Sequence, residues 1–152
     1  MMRLALAVAT CTMLNMGVAG SALAQAKPAP PTSASFPIQV IEASKADKPY
    51  LDPRLAATER HLKPFKGQFN RFSLLSARMM ELKVGGTDGV TLPGKQRFIL
   101  TLLGFTDGKV QRVRYQVEMP RTRMKRAVAK GGQTLDVVRS GDKLIIVSTV
   151  VQ

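Results

Sequence analysis

The chain has 152 residues, 45% of them hydrophobic, and 23 Lys+Arg against 10 Asp+Glu give a formal net charge of +13. That is room for one domain of ordinary size, with enough apolar content to exclude wholesale disorder. One Cys and one His exclude an intrachain disulfide framework and a zinc site of the usual Cys/His kind. No cofactor and no metal is expected.

The N-terminus reads as an export leader. Met1-Met2-Arg3 is a short basic start, Leu4 to Val18 is a nearly uncharged apolar run, and Ala22-Leu23-Ala24 is a small-x-small cleavage site. A signal peptide over 1–24 is therefore expected, with cleavage before Gln25. The run is shorter than the roughly 20 residues a membrane span needs, and Asn15, Gly17 and Gly20 interrupt it. Cys11 invites a lipoprotein reading, but Thr10 stands where a small residue is wanted. Cleavage there would also leave apolar residues 13–19 on the chain. Removal of 1–24 leaves 128 residues with a net charge of +12, no cysteine and no transmembrane span. Such a chain suits an oxidising compartment, either periplasmic or extracellular.

Residues 25–35, QAKPAPPTSAS, have the composition of a solvated tether, so the folded domain is expected over 36–152. Phe36 to Ile41 reads as a first strand, with Pro37 confining it to an edge or to its very start. Asp52-Pro53 then opens a helix, with Asp52 as the N-cap and Pro53 at the first helical position. Leu51, Leu55, Thr58 and Leu62 share one face of that helix, and Pro64 ends it.

From Phe69 onward, paired turn residues divide short runs rich in Val, Ile, Leu and Phe, which reads as antiparallel strands. The best hairpin spans 97–118 around Asp107-Gly108. In that register Leu102 faces Val113, Leu100 faces Tyr115, Phe98 faces Val117 and Arg97 faces Glu118. Leu135–Val138 and Leu144–Val147 form a second hairpin about Ser140-Gly141 or Gly141-Asp142, and the last strand reads as central and buried on both faces. The fold class is mainly β: a single antiparallel β-sandwich or partly open barrel of about seven to nine strands, with one short helix near residues 52–63.

Catalytic signals fail one by one. Gly89 to Gln96 approaches a phosphate-binding loop, but Gln96 lacks the magnesium-binding hydroxyl and Pro93 removes a cradling N–H. Pro93-Gly94 reads as a type II turn instead. His61 has no carboxylate at a helical spacing to orient it, since Glu59 is only two residues back. Asp136 and Asp142 lie about one turn, as Asp residues bonding local backbone do. Ser73 and Ser76 have no neighbouring base. No catalytic residue is assigned.

The informative feature is the arrangement of charge. Seven basic residues fall between positions 112 and 130. Arg112 and Arg114 alternate with Val113, Tyr115 and Val117, and Arg121, Arg123 and Lys125 alternate again before Arg126. Arg112, Arg114, Arg121, Arg123, Lys125 and Arg126 are the candidate contacts for an anionic partner. Ile99, Leu103 and Phe105 are expected on the same face, as a candidate surface for a protein partner. Nucleic acid is the standard inference from such a charge balance. Export and the 5% aromatic content without Trp argue against it.

Ile41-Glu42-Ala43-Ser44, Asp52-Pro53-x-Leu55, Phe72-x-Leu74-Leu75, Leu92-Pro93-Gly94-Lys95-x-Arg97 and Gly141-x-x-Leu144-Ile145-Ile146-Val147 together resemble a loosely defined set of small exported proteins of Gram-negative bacteria. The resemblance implies a β-rich fold and no activity. The expected function is a non-catalytic cell-envelope protein whose basic strand face binds an anionic surface: lipid or lipopolysaccharide head groups, an acidic polysaccharide, or an acidic protein. A second reading is an accessory subunit of an envelope secretion or surface-fibre assembly. A third, a small hydrolase using carboxylates, needs two acids in one cleft.

Overall fold

Alternation of apolar and polar residues drives the architecture. The computed structural model describes residue 29 and residues 31–152, so the expected leader over 1–24 lies outside the described residues. In chain order the strands are β1 (Ser33–Ser44), β2 (Tyr50–Leu51), β3 (Arg71–Lys83), β4 (Thr87–Leu92), β5 (Gln96–Phe105), β6 (Arg112–Met119), β7 (Thr122–Ala129), β8 (Gln133–Ser140) and β9 (Lys143–Val150). They form a five-stranded sheet, β2-β3-β1-β9-β8, and a four-stranded sheet, β4-β5-β6-β7. Every pairing is antiparallel except β2 with β3. The mainly β fold expected from the sequence is the fold observed.

Two cores follow from period-two alternation. Phe36, Ile38, Met80, Phe98, Leu100, Leu102, Val113, Tyr115, Val117, Ile145 and Val147 fill the space between the sheets. There the ring of Phe36 on β1 meets that of Tyr115 on β6 edge-on, centroids 5.4 Å apart, a favoured aromatic geometry. Ile41, Ala43, Phe72 and Ile146 point to the opposite face of the five-stranded sheet and meet Leu55, Leu62 and Phe69. Strand β9 is thus central and buried on both faces, as its run of aliphatic residues predicts.

The helical segment is less regular than its spacing suggests. It comprises a 3-10 turn at Pro53–Leu55, the short helix α1 at Glu59–Leu62 and a second 3-10 turn at Lys63–Phe65. Asp52 caps it as expected, accepting from the Arg54 N–H at 3.0 Å, and Leu55 and Leu62 are buried. Pro64 does not end the segment but sits inside the second 3-10 turn, where an early helical position tolerates a missing N–H.

Several other expectations shift. The domain starts at Ser33 rather than Phe36, since Ala34 is buried and Ser35 exchanges backbone bonds with Gln152. Pro37 lies within a central strand. The β9 ladder covers Ile38–Ala43 and the Ser35–Gln152 exchange lies beyond it, so Pro37 occupies the gap where its missing donor breaks least.

The 97–118 hairpin is displaced by two residues, with Leu102 opposite Tyr115, Leu100 opposite Val117 and Ile99, not Arg97, opposite Glu118. Before the bulge, this even shift keeps the side chains of residues 97–102 on their expected faces. Its cause is a longer loop, closed where the Thr106 N–H donates to the Arg112 carbonyl at 2.9 Å. A bulge at Leu103 lets Leu103 and Gly104 together oppose Arg114, with Gly104 at φ 137°. The second hairpin turns on Gly141-Asp142, between paired Ser140 and Lys143.

Candidate functional site

The outward face of the four-stranded sheet gathers a group of basic residues. On β6, burying Val113, Tyr115 and Val117 forces Arg112, Arg114, Gln116 and Glu118 to the outside. The register of β7 sets Ala129, Ala127, Lys125 and Arg123 opposite these four in turn. On the other flank stand Thr101 beside Gln116 and Ile99 beside Glu118. Arg97, two residues before Ile99, continues the same face opposite Thr91 of β4. Arg112 and Arg114 rise roughly 7 Å apart, the repeat of alternate residues on a strand. Their neighbours across the ladders are Ala129, Ala127, Gly104 and Leu103, all uncharged, so no carboxylate across a ladder neutralises the guanidinium groups.

This face holds five cations, Arg97, Arg112, Arg114, Arg123 and Lys125, and one carboxylate. Glu118 is already engaged, accepting from Gln116 Nε2 at 2.8 Å and ion-paired with Arg123, whose Nε lies 3.1 Å away. Among the described residues, no carboxylate lies within ion-pair distance of Arg97, Arg112, Arg114 or Lys125. All four are solvent-exposed. Four unpaired cations on one sheet face make a field that attracts anions.

Two of the candidate anion contacts are placed elsewhere. Arg126 is on the inner side, opposite Tyr115, and its guanidinium pairs with Asp136 of β8. The Asp136 side chain is fully buried and that of Arg126 is 22% exposed. Burial pushes the Asp136 carboxyl up, and Arg126 opposes the shift. Beside them Tyr115 Oη and Thr134 Oγ1 are 3.0 Å apart, and burial pushes the phenol up as well. Arg121 sits in the two-residue turn between Met119 and Thr122, at φ 66°. Compared with models of protein families, with curated proteins and with solved structures, the chain matches none.

The apolar trio is divided too. Ile99 and Leu103 are half-buried on the outer face, whereas Phe105 packs against the inter-sheet core. The bulge is the reason. It inserts one residue, so Phe105 comes to face Val113 on the inner side.

Arg97 is the member that sequence reasoning missed. Pairing it with Glu118 hid it, although its odd-numbered alternation with Phe98, Leu100 and Leu102 places it beside Ile99.

The remaining chemistry-bearing residues are scattered. His61 accepts from Arg60 Nε at 2.9 Å. Asp142 is exposed in its turn while Asp136 is inside, so these two carboxylates do not share a cleft. The loop at Pro93–Lys95 leads into β5 rather than a helix, with Gly94 at φ 76°. Among the described residues no group of three or more potential metal ligands forms, and no helix is long and apolar enough to cross a membrane.

Proposed function

We propose that the outer face of the four-stranded sheet is a non-catalytic docking surface for an anionic component of the cell envelope, reached by export. The single observation that supports this reading is the charge imbalance of that face. Four exposed cations stand over uncharged neighbours, and the one carboxylate among them is occupied by Arg123. Solvation alone does not require this segregation, because mixed signs keep a surface equally soluble. Cationic side chains do protect edge strands from aggregation, but Arg112 and Arg114 lie on β6, which is flanked on both sides. The accessory-subunit reading loses support with Phe105, which is turned into the core.

The test uses the chain from Gln25 onward, which contains all the strands described above. It is sedimented with phosphatidylglycerol-containing and purely phosphatidylcholine vesicles over a salt series. Selective binding that falls steeply with salt is expected. The variant R112Q/R114Q/K125Q should bind about 100-fold more weakly, at roughly fivefold (about 1 kcal/mol) per basic residue near an anionic surface. Equal binding by the variant and the parent sinks the proposal.

A further inference from the structure

We infer that the partner of this face is an anionic lipid bilayer, and that the β5–β6 loop meets it by placing Val110 in the bilayer interface. The inference rests on the docking function proposed above.

The loop between Phe105 and Arg112 is pinned at its base. Besides the Thr106–Arg112 backbone bond, the Arg112 N–H donates to Thr106 Oγ1 at 3.0 Å. The residues beyond the clamp, Asp107 to Gln111, are all exposed. At 63% exposure Val110 is the most exposed large apolar side chain among the described residues. Exposed loop tips are ordinarily small or polar, and local folding gives no reason for a valine here.

Its surroundings are cationic. Lys109 precedes it and Arg112 follows two residues later. Lys130 stands at the β7–β8 turn, next to Ala129, which pairs with Arg112. The β3–β4 turn lies at the same end of the sandwich, because the Gly85 N–H donates to the Leu102 carbonyl of β5 at 2.7 Å. That turn brings exposed Lys83 and Val84, the latter 50% exposed. Asp107 is the one carboxylate in the loop.

A soluble polyanion would use these cations and gain nothing from the valine. A bilayer uses both, since head groups take the positive charge while the interface takes the apolar side chain. The combination of a cationic ring and an apolar tip at the end of a cationic face selects the bilayer.

The chain has no Trp, so V110W would introduce the sole indole. The measurement is indole emission of V110W, from Gln25 onward, with phosphatidylglycerol vesicles, phosphatidylcholine vesicles and heparin. Expected are a blue shift and quenching by brominated acyl chains on phosphatidylglycerol vesicles alone. V110S, which adds no charge, should bind those vesicles about tenfold more weakly and bind heparin as the parent does. If V110W sediments with anionic vesicles while its emission is unchanged, the loop inference is overturned and the docking face stands. Equal vesicle binding by V110S overturns it in the same way. If the parent binds neither vesicles nor heparin, both readings are overturned.

Discussion

Arg126 of β7 and Asp136 of β8 form an ion pair between the edge strands of two different sheets. The pair ties the sandwich together along a side where β7 and β8 share no ladder. Removing one partner leaves a buried charge uncompensated, whereas replacing both with apolar residues does not. R126A is therefore expected to lose about 3 kcal/mol of stability. The double variant R126M/D136L should lie much closer to the parent. Urea denaturation of the two variants checks this, and equal losses in both would contradict it.

Gly89 on β4 lies against β5 so closely that an added Cβ would sit 2.5 Å from the Phe98 carbonyl oxygen. The obstacle is backbone, which cannot swing aside as a side chain can. G89A is expected to lose about 2 kcal/mol or more by overpacking. Gly67, with nothing within 4 Å of its added Cβ, provides the control. G67A should be near neutral in the same thermal melt.

Asp52 holds its charge strongly. The Arg54 side chain, then the Arg54 and Leu74 backbone N–H groups, keep its carboxyl well below the usual carboxylate range. A carboxyl depressed in the folded state stabilises above its unfolded value near 4, and that contribution fades as pH falls below it. Asp136 acts in the opposite sense, because its raised carboxyl takes up a proton earlier in the folded chain. Replacing Asp52 with Asn should therefore lower stability at neutral pH and flatten the acid limb of the profile. Parallel pH profiles for D52N and the parent would show that the capping contacts add nothing.

Arg121 occupies a left-handed position directly after Pro120, where the turn favours glycine. An L-residue pays roughly 1–2 kcal/mol there, partly offset by the greater entropy glycine gains on unfolding. R121G should raise stability by up to about 1 kcal/mol, read by urea denaturation. It should not reproduce the binding loss of R112Q/R114Q/K125Q, since Arg121 lies in the turn beyond the cationic face.

Much of this protein follows from local pattern. Strict alternation along residues 112–118 determines which side chains of β6 are buried. The turn residues divide the strands, and the aliphatic run Leu144–Val147 demands cover on both faces. These properties are legible because a strand has a period of two and a turn has its own residue chemistry. The tertiary structure decided what depends on partners distant in sequence. The bulge at Leu103 moved Phe105 from the outer face to the core, and the longer loop together with that bulge set Ile99 opposite Glu118. Arg126 follows Lys125 in sequence, yet Lys125 faces solvent while Arg126 meets Asp136, ten residues away. Charge alone cannot distinguish two such neighbours. The distinction requires the register of β7 against β6 and the approach of β8, which bring a buried carboxylate to one of them and leave the other beside Gln116.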